Sequence, residues 1–391
     1  MRGHVAKKGD RYYVVIYEGV DPATTKKRYR WHLAGSTRGD ADRLLNELVR
    51  QVHDGDYVPP DKITFGEYLT QRWLPTKKSQ LRASTYNSYS NNVNVHVIPA
   101  LGPIPIRRLR PEDLDSFYAE LLANGRKTGK PGGLAPKTVR YIHLILRKAL
   151  ADAARKGTVP RNVALLADPP KLSAAPRAEM RTWTAVELQS FLELSHEHRL
   201  YSAWFLAAHT GVRRGELLGL RWRDVDLTTS RLSVRQALVS VAYDAQFSDV
   251  KTGAGRRTID LDEPVLVVLR AWRRKQAEER LLLGPDYKES DLVFTRADGA
   301  PLHPDYFRQA FERFVKKTAL PKIRFHDLRH THASLLLQAG VPVKVVSERL
   351  GHANAAFTMT VYQHVLPGMQ ADAARAFSRL LEAGEPSPGT T

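Results

Sequence analysis

The stretch TGVRRGELLGLRWRD, residues 210–224, decides how the second half of the chain folds. A glycine turn comes first, and the leucines that follow it have the spacing of the buried side of a helix. Arg213 therefore lies where a helix begins, close to the body of the protein, and Glu216 is placed three residues on to hold its guanidinium. Taken alone, the stretch is more simply explained as a surface arginine paired with an acid.

A cluster of titratable side chains follows in FHDLRHTHA, residues 325–333. If this stretch is helical, His326, Arg329 and His330 share one face, because they lie at positions i, i+3 and i+4. One alternative is a metal site formed by the two histidines. The known helical zinc pair has a glutamate directly after its first histidine, where this sequence has Asp327, and the neighbouring arginine opposes a cation. The sequence therefore favours a site without metal.

The sequence LGHAN, residues 350–354, stands behind a predicted helix over 343–350. Gly351 is the residue type that ends such a helix, so His352 is predicted to project from its C-terminal end. Tyr362 follows ten residues later in an apolar stretch. A tyrosine in such a stretch is usually a core residue, and only the motifs that accompany it in the sequence suggest a catalytic role.

A predicted β region lies between these motifs, over residues 231–241, 247–251 and 256–261. The turn sequence TGAG, residues 252–255, predicts that the last two segments form a hairpin. Lys251 stands at its tip, from which a lysine can reach outward. Exposed hairpin lysines are common, so this residue carries no weight on its own.

The N-terminal segment is predicted to be a small sheet with one helix, built from strands over 11–17 and 27–33 and a helix over 40–53. Basic and aromatic residues alternate along the second strand, and a sheet can present such a strip to a DNA groove. An ordinary surface strand is an equally good explanation. The candidate DNA-binding residues here are Lys27, Arg28 and Arg30.

The middle segment, residues 61–175, is predicted to be helical and is the most basic part of the chain, with 19 basic and 8 acidic side chains. Its clearest helix spans 136–156, has an apolar stripe at helical spacing and ends at Gly157. A charge surplus of this kind fits contacts with phosphate groups, although charged residues also simply solvate helix faces. The candidate DNA-binding residues on this helix are Lys137, Arg140, Arg147 and Lys148.

Composition limits the class of protein. Lysine and arginine total 60 against 41 acidic residues in 391, a formal net charge of +19, which makes a polyanion the first partner to consider. Cysteine is absent, which excludes disulfide scaffolds, thiolate zinc sites and cysteine nucleophiles. No apolar run approaches the roughly 20 residues of a membrane span, and the N-terminus lacks the apolar core of a signal peptide. We expect a cytoplasmic protein.

Together, the motifs supply the groups that phosphodiester transesterification needs. Arginine forks match the oxygens of a phosphate and stabilise the charge that grows in a pentavalent transition state. A tyrosine phenol can attack phosphorus and hold a covalent DNA intermediate. Lysine can protonate the departing 5′ oxygen, and histidine can move the tyrosine proton. Because the phosphotyrosine bond conserves the energy of the cut strand, no metal, nucleotide or other cofactor is required.

These motifs resemble the tyrosine recombinase (phage integrase) family over most of residues 177–370. The catalytic residue types of that family fall, in the family's order, on Arg213, Lys251, His326, Arg329, His352 and Tyr362. Any one of the motifs can occur by chance, but the ordered set is highly specific.

The resemblance also implies a role for each residue. The two arginines would bind the scissile phosphate, with support from His352. Lys251 would be the general acid and Tyr362 the nucleophile, while His326 would assist proton transfer at the tyrosine. Three further residues would have supporting roles around this set, namely Glu216, Asp224 and His330.

The patterns and the resemblance imply a multidomain, mainly α-helical protein with small β regions. Residues 1–57 would form an arm-type DNA-binding domain, a small β-sheet plus one helix, and residues 61–168 a helical SAM-like core-binding domain. Residues 177–383 would form the α+β catalytic domain, and residues 384–391 a disordered tail. The implied partners are double-stranded DNA at attachment sites, a homotetramer on paired sites, an excision factor and a host DNA-bending protein.

The implied function is site-specific recombination through a 3′-phosphotyrosine, which integrates a mobile genetic element and in some settings excises it. A nicking enzyme of the type IB topoisomerase kind shares this chemistry but does not exchange strands between partners. The arm-like domain and the small size favour the recombinase. A DNA-binding regulator without catalysis would explain the net charge equally well, but it has no need of Lys251 or Tyr362.

Overall fold

The chain forms two compact units, residues 1–175 and 176–391. No described helix is long and apolar enough to cross a membrane. The computed structural model describes residues 3–20, 25–53, 63–127, 129, 131–172, 181–249, 255–352, 354, 356, 358–359, 374–375 and 377–378.

The N-terminal part of the first unit is a three-stranded antiparallel sheet with one helix packed on it. Because side chains alternate along a strand, Val14 and Ile16 lie on the helix side of the sheet and are buried there with Ala41 and Leu48. The two predicted strands and the helix are confirmed. The elements are β1 (Gly3–Lys8), β2 (Arg11–Val20), β3 (Lys27–Gly35) and α1 (Arg38–His53).

Strand β1 is an element that the sequence analysis missed. Its sequence, GHVAKK, contains a single β-branched residue and no tyrosine, phenylalanine or tryptophan. It therefore lacks the residue types that favour a strand locally. Pairing with β2 along its whole length supplies the stability that its own sequence does not.

The rest of the first unit is helical, as predicted. One of its helices begins at Ala83, so Ser84 lies inside the first turn and does not cap it. Two π-helical turns lie at Tyr68–Trp73 and Val93–Val97, and short 3-10 turns lie at Ile106–Arg108 and Val163–Leu165. The α-helices are α2 (Phe65–Glu67), α3 (Leu74–Lys78), α4 (Ala83–Asn92), α5 (Ile98–Leu101), α6 (Pro111–Asn124) and α7 (Pro136–Arg155).

The longest helix of the first unit is α7. Val139, Ile142 and Leu146 form its buried stripe and are fully covered by the surrounding helices. The chain leaves the helix at Gly157, whose φ of +69° is a left-handed conformation that glycine adopts without strain. The predicted helix over 136–156 and its apolar stripe are confirmed.

The second unit combines helices with two small antiparallel sheets, of strand order β4-β5-β8 and β6-β7. The strands are β4 (Val225–Asp226), β5 (Arg231–Val234), β6 (Gln236–Val241), β7 (Asp244–Asp249) and β8 (Arg257–Asp260). The helices are α8 (Ala185–Leu194), α9 (Tyr201–Thr210), α10 (Arg214–Leu218), α11 (Glu263–Leu283), α12 (Pro304–Lys316), α13 (Asp327–Gln338) and α14 (Val343–Leu350).

The predicted hairpin around residues 252–255 is wrong in its pairing. Strand β7 pairs with β6, and β8 pairs with β5, so the two expected hairpin strands belong to different sheets. The turn between β6 and β7 lies at Ala242 and Tyr243, which have positive φ but are not the residue types that signal such a turn. Burial decides the pairing of β8, because Ile259 lies opposite Leu232 and both are in the core.

An aromatic cluster fills the core of the second unit. Trp183, Phe191, Trp204 and Phe311 are all buried, and each ring contacts at least two of the other three. This core joins α8, α9 and α12, and α9 ends at the site described below. Rings of this kind contribute large buried areas and stabilise one arrangement of the helices around them.

Candidate active site

The site begins where α9 ends, at Gly211. This residue has a left-handed conformation, with φ of +62°. A Cβ atom there would meet Leu350 at 2.7 Å and His332 at 2.8 Å. Glycine is therefore required both by the backbone and by the close approach of α13 and α14. Two residues later the chain enters α10, and Arg213 is its N-cap residue, as predicted.

Glu216 holds Arg213 at two points. Its Oε1 accepts a hydrogen bond from Arg213 Nη1 at 2.7 Å, and its Oε2 accepts one from the Arg213 backbone N–H at 3.0 Å. Burial raises the pKa of this carboxyl. The hydrogen bond from Arg257 and the charges of Arg257 and Arg213 together lower it by more, so the pKa lies below its usual value. The Arg213 side chain is 39% exposed, which leaves part of its guanidinium open to a ligand.

Arg329 lies in the first turn of α13 and is buried. Its Nη1 donates to the Gly211 carbonyl at 2.6 Å, and its Nη2 donates to the Leu350 carbonyl at 2.6 Å. The side chain therefore joins the end of α9 to the end of α14. Both predicted arginines reach this same helix end, because Arg213 Nη2 donates to the Gly351 carbonyl at 3.0 Å.

His352 follows directly after α14. The helix ends at Gly351, which has a φ of +68°, as the sequence predicts. The half-buried His352 ring lies with its Nδ1 2.8 Å from Thr358 Oγ1. Burial, followed by the positive charges of Arg329 and Arg213, lowers the pKa of His352 to about 4. The ring is therefore neutral at neutral pH.

His326 and His330 stand at the start of α13, with their rings edge to face and their centroids 5.1 Å apart. Desolvation by the surrounding protein, followed by the charge of Arg329, lowers the pKa of His326. Desolvation, followed by the neighbouring His326, lowers the pKa of His330 to about 4. Each neutral ring can accept one proton.

The structure thus brings together most of the predicted residues that it describes. Lys251 and Tyr362 lie outside the described residues. Asp224 belongs to a different ion-pair group, because its carboxylate accepts from Arg221 Nε at 2.6 Å and lies 3.3 Å from Arg235 Nε. The residues at or next to the end of α14 are Arg213, Glu216, Arg329 and His352, with His326 and His330 on the first turn of α13.

Three residues of this region were not singled out from the sequence, namely Arg257, His332 and Arg349. The buried His332 has its Nδ1 2.9 Å from the Ala208 carbonyl, and its Nε2 accepts from Arg349 Nε at 3.2 Å. Burial, followed by the charge of Arg349, lowers the pKa of His332 to about 3. Arg349 also donates to two further backbone carbonyls. The sequence offers one signal for Arg349, namely its position directly before the LGH motif.

The charges of the site suit an anion. The site holds three converging arginines, Arg213, Arg257 and Arg329, and the buried Glu216 is a counter-charge among them. Guanidinium groups in fixed positions match the oxygens of a phosphate and stabilise negative charge that develops on it. The neighbouring neutral histidines can exchange a proton. These are the two requirements of phosphoryl transfer.

A candidate DNA-binding surface lies on α7. Lys137, Arg147 and Lys148 are exposed on this helix, and Arg140 is half-buried. The Lys148 ammonium lies 5.8 Å from the centre of the Tyr89 ring, so basic and aromatic groups share this surface. Such a combination suits a nucleic acid, because the charges contact phosphates and the ring adds apolar area.

The open face of the N-terminal sheet, opposite α1, is aromatic. Tyr29 and Trp31 are about half exposed there. Arg30 lies opposite Ile16, which faces α1, so alternation along β3 puts this arginine on the helix side of the sheet. The predicted basic and aromatic strip is thus divided between two faces. Lys27 and Arg28, at the start of the strand, are exposed.

Two family profiles match the sequence. The profile described as the phage integrase family matches residues 181–368. The profile described as the phage integrase N-terminal SAM-like domain matches residues 64–122. The first range lies in the second unit and contains the site, and the second range lies in the helical part of the first unit.

Known proteins of similar sequence and fold span nearly the whole chain. The chain is 26% identical to a tyrosine recombinase XerC-like protein of Caldanaerobacter subterraneus subsp. tengcongensis, over 96% of this chain and 97% of that protein. The Tn1549 transposon integrase, solved with a circular intermediate DNA, matches with a TM-score of 0.62 at 23% identity, over 82% of this chain and 99% of that one. A lambda integrase tetramer bound to a Holliday junction matches with a TM-score of 0.55 at 17% identity, over 90% and 96%.

The sequence matches, the shared fold and the grouped site residues all agree. They favour recombination over a nicking topoisomerase and over a regulator without catalysis. The chain belongs to the phage integrase family of tyrosine recombinases, and it is a DNA strand-transferring enzyme of site-specific recombination.

Proposed function

We propose that this recombinase cuts and rejoins DNA through a 3′-phosphotyrosine formed by Tyr362. The observation that carries the proposal is the convergence of Arg213, Arg329 and His352 at the C-terminal end of α14. These residue types come from three separate parts of the chain and suit the binding of one phosphate group. The nucleophile itself is assigned by the sequence motif.

The proposed reaction is a reversible exchange of phosphate esters. The Tyr362 phenol oxygen attacks phosphorus, the bond from phosphorus to the 5′ oxygen breaks, and the 3′ phosphate stays on the tyrosine. Arg213 and Arg329 stabilise the negative charge that grows on the phosphate. His326 takes the phenol proton, and Lys251 donates the proton that the departing oxygen needs. Attack by a 5′ hydroxyl of another strand reverses these steps.

The remaining site residues support this reaction without reacting themselves. His352 is neutral at neutral pH, since its pKa is lowered to about 4, and offers the phosphate a hydrogen bond without charge. His330 supports His326 from the adjoining ring. Glu216 holds Arg213 in place. Asp224, paired with Arg221 and Arg235, stabilises the scaffold at a distance from the phosphate.

Two further parts of the chain are proposed to bind DNA. The helical segment 61–168 would contact the core site through Lys137, Arg140, Arg147 and Lys148 of α7. The sheet of residues 1–57 would bind a separate arm site through its open aromatic face, with Lys27 and Arg28 at the start of β3. Arg30, on the α1 side of the sheet, would contribute positive charge from the opposite face. Linking two such modules raises the effective concentration of the enzyme at the core site.

The proposed biological role is the integration, and under other conditions the excision, of a mobile element by residues 177–383. The Tn1549 integrase is a transposon enzyme seen with a circular intermediate, and the lambda enzyme is seen as a tetramer on a Holliday junction. By analogy, this chain would act as a homotetramer on paired attachment sites at the nucleoid. An excision factor and a host DNA-bending protein would set the direction.

The proposal is tested by covalent trapping. The full chain is incubated with nicked DNA from the sequences that flank its own gene, and protein–DNA adducts are separated on a denaturing gel. We expect an adduct on the 3′ phosphate that Tyr362→Phe abolishes. Tyr306→Phe, which changes an exposed tyrosine of α12, is the matched control and should still form it. An adduct that persists in Tyr362→Phe would assign the nucleophile elsewhere. Tight binding of flanking DNA without any adduct would favour a regulator.

A further inference from the structure

Three arginines hold the C-terminal end of α14, one on each of three successive backbone carbonyls. The carbonyls of residues 349–351 accept, in order, from Arg257 Nε at 2.7 Å, Arg329 Nη2 at 2.6 Å and Arg213 Nη2 at 3.0 Å. The last carbonyls of a helix have no partner inside the helix and carry partial negative charge. The helix end thus gathers three cations directly before His352.

Arg257 differs from Arg213 in its burial and in the number of its bonds within the protein. All three nitrogens of its guanidinium donate within the protein: Nε to the residue 349 carbonyl, Nη1 to the Gly255 carbonyl at 3.3 Å and Nη2 to Glu216 Oε2 at 2.9 Å. Its side chain is 7% exposed, compared with 39% for Arg213. Arg257 therefore has less surface than Arg213 to offer a phosphate, and its bonds from Nε and Nη2 lead to the end of α14 and to Glu216.

The shared partner of Arg257 and Arg213 is the buried Glu216 carboxylate. Arg213 binds one of its oxygens with the guanidinium and the other with the backbone N–H, and Arg257 binds that second oxygen as well. A buried carboxylate needs full compensation. Without Arg257, the Arg213 guanidinium would be the remaining side-chain cation among these contacts, and Glu216 would draw it away from a bound phosphate.

We propose that Arg257 is a positioning residue for strand cleavage. It compensates Glu216 and holds the end of α14, so that Arg213 and His352 keep their positions on the scissile phosphate. This role rests on the proposed function, in which Arg213 stabilises the phosphate charge. A displacement of about 1 Å at such a group can lower a rate by about a hundredfold, so the expected effect is large.

The experiment compares two versions of the nicked substrate, one with a normal scissile phosphate and one with a methylphosphonate there. The methylphosphonate lacks the negative charge that Arg213 stabilises, so a defect that acts through Arg213 should shrink on it. The full-length variants are Arg257→Met, Arg257→Lys and Arg213→Met. Single-turnover cleavage gives the rate at saturating protein, and its concentration dependence gives the DNA affinity.

We expect Arg257→Met to lower the saturating cleavage rate on phosphate between about tenfold and a hundredfold, with DNA affinity within about twofold. On methylphosphonate the loss should be below about threefold. Arg257→Lys should restore part of the rate, because one ammonium can reach Glu216 but cannot bridge all three acceptors. Arg199→Met is the matched control, since Arg199 also pairs with a carboxylate, Glu279, and donates to a backbone carbonyl, and it should cleave at the native rate.

Two results would contradict this proposal, and a third would contradict the proposed function on which it rests. If Arg257→Met cleaved both substrates at the native rate, Arg257 would have no positioning role. An equal loss on phosphate and methylphosphonate, in Arg257→Lys as well as Arg257→Met, would mean general distortion of the site. Normal cleavage of the phosphate substrate by Arg213→Met would instead contradict the proposed function itself, because the charge on the phosphate would then be stabilised by other groups.

Discussion

Helices α7 and α13 are both packed into the interior of their units, but α7 buries mainly apolar side chains and α13 buries mainly polar ones. Helix α7 buries an apolar stripe that includes Ile142 and Leu146, and it turns Lys137 and Arg147 to solvent. The buried residues of α13 are largely polar: Asp327, Arg329, Thr331, His332 and Ser334. A buried polar group costs free energy unless it is hydrogen-bonded. Apolar area thus holds α7, whereas hydrogen bonds that join Arg329, Thr331 and His332 to distant segments help to hold α13.

The largest difference should appear when one arginine is removed from each helix. Arg329→Met should lower the saturating cleavage rate about a thousandfold, since it removes positive charge from the developing transition state. Arg147→Met should mainly weaken DNA binding and reduce its salt dependence by about one phosphate contact. Single-turnover cleavage and binding titrations at several salt concentrations measure the two effects.

The contrast would be broken if Arg329→Met kept more than about a tenth of the native rate. It would also be broken if Arg147→Met lost its rate at saturating protein while its DNA affinity stayed native. Thermal unfolding of both variants checks that each retains its fold, because Arg329 also ties two helix ends together.

Acid should loosen α13 before it loosens α7. The pKa of His332 is lowered to about 3, so below about pH 6.5 the unfolded state binds a proton that the folded state does not bind. Stability is then lost as the pH falls, by up to about 1.4 kcal/mol per pH unit. On α7, burial raises the pKa of Asp152. The hydrogen bonds that its carboxylate accepts from Lys77 and Trp73 together have the larger effect and lower this pKa to about 2. Its contribution is present above about pH 4 and is lost only as the pH falls toward 2.

Hydrogen exchange read by mass spectrometry at about pH 6.5 and pH 5 can separate the two helices. After correction for the intrinsic exchange rate, protection of α13 should fall by about 2 kcal/mol. Protection of α7 should fall by less, because burial also lowers the pKa of its His143, but the shift at His332 is the larger one. His332→Gln should reduce the pH dependence of α13. Equal loosening of both helices, or an unchanged pH dependence in His332→Gln, would contradict the assignment to His332.

The smallest effect concerns two matched glycines. Gly157 behind α7 and Gly351 behind α14 have φ of +69° and +68°. Alanine at either position should lower the free energy of unfolding by about 1 kcal/mol, because the left-handed conformation strains a side chain. Urea unfolding measures this. Only Gly351→Ala should also slow cleavage, by about tenfold, because its carbonyl holds Arg213. A similar slowing by Gly157→Ala would remove the distinction.

The sequence was sufficient at several places where structure is decided over a few residues. The stripe of α7, the end of α14 at Gly351 and the pairing of Arg213 with Glu216 all depend on spacings of three or four positions. Each of them is confirmed. The mainly helical architecture with small sheets follows from the same local patterns.

Contacts between distant segments could not be predicted in this way. Arg257 is separated by 92 residues from the carbonyl that it holds, and His332 by 124 from its own. No spacing rule connects such positions. The prediction of a hairpin across residues 252–255 failed for the same reason. Strand β8 pairs with β5 instead, because burial of Ile259 outweighed the turn signal beside it. Asp224 resembled a site residue by its place in a motif, but its partners are Arg221 and Arg235.

Within the described part of the chain, β1 and β3 are the edge strands of the three-stranded N-terminal sheet. An open edge is a template on which a second chain can add a strand, and this is a route to aggregation. Lys7 and Lys8 on β1, and Lys27 and Arg28 on β3, are exposed along these edges. Their like charges repel another copy of the sheet. The same lysines and arginines that make these two strands basic therefore also oppose the addition of a second sheet at either edge.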